Sequence, residues 1–82
     1  MTKRETRRFI ESVSPSPGFI LDLTKSELSD LVYDLTNIEL EDYEQNGTSN
    51  AKRLTTLLEQ VDNQTADTIT SAILTRKDNN ES

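Results

Sequence analysis

The stretch Gly47-Thr48-Ser49-Asn50-Ala51-Lys52-Arg53 is the part of this chain best equipped to hold an anion. A glycine turn feeding a helix start, with two hydroxyls and two cations in the first turn, suits a phosphate or carboxylate. Thr48, Ser49, Lys52 and Arg53 are the candidate contacts for such a group or for a partner. The plainer alternative is that Gly47 makes the turn, one hydroxyl caps the helix, and Lys52 and Arg53 are solvated. The spacing does not follow the glycine-rich nucleotide-binding pattern, so nucleotide hydrolysis has no support.

A second candidate is acidic. Glu39, Glu41, Asp42 and Glu44 crowd into six residues and could form a surface for a basic partner. They do not suit calcium, because a loop counted from Glu39 has Glu44 where the binding loop needs glycine. A third cluster is basic: Lys3, Arg4, Arg7 and Arg8 fall at helical spacing near the start of the chain. Such a face can touch nucleic acid or an acidic partner, or simply be solvated.

What the chain lacks narrows its chemistry further. Its 82 residues include no histidine and no cysteine. The usual general base near neutral pH, the thiolate nucleophile and the common zinc ligands are therefore missing together. Asp30 and Asp34 lie one helical turn apart, but so do many exposed acids. A serine nucleophile would need a buried lysine as its base, and the four lysines all fall on polar faces or near caps. We expect no enzyme activity, no cofactor and no metal site. Binding is the expected role.

The formal charge is −6, unevenly spread. Residues 1–13 carry +2, residues 14–49 carry −7 and residues 50–82 carry −1. The acidic middle repels polyanions, which disfavours nucleic acid as the partner. A protein partner, or further domains of the same chain, is the expectation, with self-association open. No apolar run approaches the length of a membrane span. No apolar segment follows Met1-Thr2-Lys3-Arg4, so no secretory leader is expected. The absence of cysteine fits a reducing compartment, and a cytoplasmic location is expected.

The elements that must position these residues are helical. Thr2-Lys3-Arg4-Glu5 and Thr24-Lys25-Ser26-Glu27 both match the capping box, in which a hydroxyl and a carboxylate satisfy two free amides. Phe9, Ile10 and Val13 give the first helix its apolar stripe, and Ser14-Pro15-Ser16-Pro17-Gly18 ends it. Leu28, Leu31, Val32 and Leu35 recur at i, i+3, i+4 and i+7, with Leu23 placed to staple onto Leu28. Thr36-Asn37 closes that helix, and Ile38 and Leu40 turn inward from an acidic turn or short helix that includes Tyr43.

Gln45-Asn46-Gly47 is a turn, after which Thr48 or Ser49 caps a third helix facing inward with Ala51, Leu54, Leu57, Leu58 and Val61. Asp62-Asn63 starts a fourth helix with Ala66, Ile69, Ala72 and Ile73, and Arg76 and Lys77 complement its dipole. The expected fold is all-α, a compact bundle of four principal helices with a short extended segment at 19–23. It forms a single domain over residues 1–77, and residues 78–82 form a disordered tail or linker. Leu31 and Leu57 are both expected to be fully buried.

The order Gly18-Phe19-Ile20-Leu21-Asp22-Leu23-Thr24, then Leu28 and Leu31, then Ile38 to Tyr43, then Gly47 to Leu54, resembles a known domain. It is similar to a small N-terminal helical domain of bacterial phage-defence proteins, some of abortive-infection type. The likeness spans about residues 18–74. Asn50 stands where that pattern commonly has lysine, and Thr55 where another basic residue often follows, which lowers the positive charge of the third helix. The resemblance implies a non-catalytic accessory module for recognition or coupling, with effector chemistry elsewhere in a larger protein. Two other classes fit the residues alone: a small acidic inhibitor or immunity-type protein that blocks a basic enzyme, and a weak nucleic-acid-binding domain.

Overall fold

A computed structural model describes residues 1–81. Among the described residues there are four α-helices and no strand: α1 (Lys3–Val13), α2 (Lys25–Thr36), α3 (Asn50–Gln60) and α4 (Asn63–Glu81). A 3-10 turn, Leu40–Tyr43, lies between α2 and α3. α3 packs against both α1 and the 3-10 turn. α4 packs against α1 and α2, and α2 against the 3-10 turn. The radius of gyration, 11.4 Å, matches the roughly 12 Å of a close-packed chain of this length.

Local chemistry explains each boundary. α1 and α2 begin at complete capping boxes. Thr2 and Thr24 accept from the amides of Glu5 and Glu27, and each glutamate accepts from the cap amide in return. α2 stops where Asn37 takes a left-handed conformation, φ 60°, and its amide donates to the Tyr33 carbonyl. α3 starts at Ser49, whose hydroxyl accepts from the Lys52 amide. The Asp62 carboxylate accepts from the Thr65 amide in the first turn of α4.

The core joins Phe9 and Val13 of α1, Leu28 and Val32 of α2, Leu54, Leu57 and Leu58 of α3, and Ala66, Ile69 and Ile73 of α4. Ile20, Leu23 and Leu40 enter it from the connections. Leu23 and Leu28 are both buried in this cluster, as a staple across the α2 cap requires. Three threonines join them: Thr6 and Thr56, nearly without solvent exposure, and Thr70. Their hydroxyls donate to carbonyls one turn back, Thr6 to Thr2, Thr56 to Lys52 and Thr70 to Asp67. With the hydroxyl satisfied inside its own helix, each threonine packs its methyl as a small apolar residue.

Three expectations need correction. Residues 19–23 are not extended. Leu23 donates to the Ile20 carbonyl across a turn, and Leu21 takes φ 51°. This conformation costs a leucine about 1–2 kcal/mol. It lets both Ile20 and Leu23 reach the core while Asp22 faces water. Residues 78–81 are helical rather than disordered, because no glycine or proline follows Lys77 and α4 propagates to Glu81. Ser82 lies outside the described residues.

Leu31 is only half-buried and Leu35 is exposed, because α2 turns a narrow stripe, Leu28 and Val32, to its neighbours. Lys77 also reaches beyond its own helix. Its Nζ donates to the Ser12 carbonyl at 2.9 Å, in the last turn of α1. The Leu21 amide takes the adjacent Val13 carbonyl at 2.8 Å, so α1 is closed by two distant segments.

The two leucines once expected to be equivalent are therefore not. Leu57→Ala should destabilise by about 2–4 kcal/mol, and Leu31→Ala by about 1–2 kcal/mol. Urea melts of both variants measure this, and equal losses would contradict the packing described.

Candidate interaction surface

The first candidate group does not assemble. Ser49 is half-buried and its hydroxyl is occupied as the α3 cap, accepting from the Lys52 amide at 3.2 Å. Thr48 and Lys52 are exposed. Arg53, read as an anion contact or else a solvated cation, is 2 % exposed and is engaged between α2 and α3. Its Nη2 donates to Asn50 Oδ1 at 2.8 Å, and its Nη1 reaches Ser29 Oγ at 3.4 Å. Its Nε is buried without an acceptor. Asn50 is itself buried and donates to the Leu23 carbonyl at 3.0 Å. The guanidinium thus serves the fold rather than an outside anion.

The periodicity held a signal for this. Asn50, Arg53, Leu54 and Leu57 fall at i, i+3, i+4 and i+7, so the inward stripe of α3 begins with two polar residues. Their polarity hid that pattern.

The acidic group does assemble. Glu39, Glu41, Asp42 and Glu44 are all exposed on the 3-10 turn and its flanks. The turn is held by Leu40, which has no solvent exposure, and by half-buried Ile38 and Tyr43. Glu41 ionises below the usual glutamate range. Its own backbone amide lowers it most, then the Ser29 hydroxyl and, to a lesser degree, the Arg53 charge. Lys3, Arg4, Arg7 and Arg8 are exposed on α1, which packs against α3. The basic and acidic groups are thus carried by different elements.

One surface feature was not foreseen from the sequence. Phe19, at the start of the segment 19–23, is 56 % exposed. It borders an open cleft of about 230 Å³ walled by Pro17, Leu23, Lys25 and Asn50. The Ala51 amide donates to the Gly18 carbonyl beside it, fixing the loop to the start of α3. A wider cleft of about 450 Å³ lies between the end of α1, Leu21 and Lys77. Among the described residues no group of three His, Cys, Asp or Glu side chains could hold a metal ion, and no helix is long and apolar enough to cross a membrane.

No family model, no curated protein and no solved structure matches the chain.

Arg53→Ala should destabilise by about 2–4 kcal/mol, because it leaves Asn50 Oδ1 and the space of the stem unfilled. Arg53→Met should recover most of that loss by keeping the stem and removing the buried charge. Thermal melts that rank the two the other way would refute a packing role for the stem.

The caps give the domain a pH dependence. Glu27 is held below its ordinary value by the Thr24 amide and then the Thr24 hydroxyl, and Glu5 likewise by Thr2. Because the folded values are lowered, this stabilisation is full above the unfolded glutamate value of about 4.3 and fades as pH falls through the folded one. Melting temperature should drop on acidification through that window. Glu27→Gln should flatten the drop, and an unchanged profile would contradict the assignment.

Proposed function

We propose that this chain is a non-catalytic accessory module of a bacterial antiviral defence protein, and that it works by binding protein. The acidic ridge carries this reading. Glu39, Asp42 and Glu44 are exposed on a turn already fixed by buried Leu40, so a basic surface meets charges that need little further ordering. The resemblance over residues 18–74 supports the defence setting. The missing histidine and cysteine support a role without chemistry.

The charge of −7 over residues 14–49 also favours a second reading, an acidic inhibitor or immunity-type protein that occupies a basic enzyme. The two share a surface and differ in where the partner sits. In the first, the ridge meets other domains of its own polypeptide or their assembly. In the second, it meets a separate basic enzyme.

Phage challenge of cells carrying the natural gene tests the first reading. The triple variant Glu39→Gln, Asp42→Asn and Glu44→Gln leaves Glu41 in place. It should keep its melting temperature and weaken protection by at least about tenfold, the loss expected when several complementary charges go. Full protection by the folded variant would sink the reading.

A further inference from the structure

Asn46-Gly47 is chemically the most labile dipeptide in the chain, because glycine places no side chain over its own amide nitrogen. Succinimide formation joins the Gly47 nitrogen to Asn46 Cγ. The Cγ–Nδ2 bond breaks, the Gly47 amide proton is lost, and Nδ2 leaves as ammonia. Water then opens the ring to aspartate or to isoaspartate, which carries an extra methylene in the main chain. Asparagine lability of this kind is a recognised weakness under heat.

In the folded chain both reacting groups are engaged. The Gly47 amide donates to the Glu44 carbonyl at 3.1 Å, which opposes the proton loss that makes it a nucleophile. Asn46 Nδ2 donates to Thr56 Oγ1 at 3.0 Å, which fixes the side chain. Thr56 is 2 % exposed and its hydroxyl donates to the Lys52 carbonyl, so its lone pairs are held toward Asn46. The fold also retains the dipeptide. Gly47 sits at φ 141°, and a Cβ there would lie 2.3 Å from Lys52 Cδ. Asn46 supplies the hydrogen bond that ties the loop to α3.

We propose that Asn46 is a latent deamidation site, closed by Thr56 and the Glu44 carbonyl while the loop is docked and opened when it leaves α3. The reaction adds a carboxylate beside Glu44, and the isoaspartate product lengthens the backbone three residues before the Ser49 cap. The rate then follows the population of the undocked loop.

The test is to incubate the full chain at mildly alkaline pH, folded and in urea, and follow the peptide containing Asn46 by mass spectrometry with isoaspartate detection. Deamidation should be at least about tenfold slower in the folded chain than in urea. Thr56→Val keeps the side-chain volume but removes the acceptor, and should speed the folded chain. Thr55→Val should not, because that hydroxyl donates to the Ala51 carbonyl and does not touch Asn46. Equal rates in folded and unfolded wild-type protein would overturn the proposal without reference to any variant. So would a folded Thr56→Val chain no faster than wild type.

Discussion

A buried guanidinium organises this domain. Arg53 brings a full charge into a place nearly closed to water, and such a charge is costly unless polar groups surround it. The groups that do so come from three parts of the chain. Asn50 belongs to the same helix, Ser29 to α2, and the Leu23 carbonyl beyond Asn50 to the connection after Phe19. Meeting the needs of one side chain therefore ties α2 and that connection to α3. Apolar contacts supply most of the burial, but they are non-directional and would tolerate a slipped arrangement. The polar junction selects one.

The same junction relates fold to surface. α3, which holds Arg53, packs against the 3-10 turn, and the acidic side chains lie on the turn that buried Leu40 anchors. The ridge is thus mounted on a packed part of the molecule, while the basic residues lie on α1. A surface built this way presents its charges in a fixed pattern and orients an approaching partner by its field. On the proposed reading, recognition is a property of this framework rather than of a flexible loop.

How much of this could be read from the residues depended on whether the signal was local. Capping boxes depend on four consecutive residues, and both appear at Thr2 and Thr24 where the sequence places them. The leucine and isoleucine stripes of α3 and α4 follow helical spacing, and their central members are buried. The acidic turn is exposed because its residue types and its buried neighbour agree. What stayed hidden depends on partners distant in sequence. Arg53 reads as a solvated cation until Ser29 is brought to it. Leu31 reads as core until the narrow contact face of α2 is seen. Phe19 reads as buried because nothing local shows that Ile20 and Leu23 fill the space first. The left-handed turn at Leu21 is a tertiary demand imposed on a residue with no preference for it.

The bond from Lys77 to the Ser12 carbonyl spans 65 positions of sequence. During synthesis, α1 leaves the ribosome with its final carbonyls open to water, and the residue that closes one of them is made only after most of the domain. α1 is short and gains its apolar neighbours late, since α3 and α4 both follow it. α1 therefore precedes the other three helices in translation but meets its packing partners only once α3 and α4 have followed.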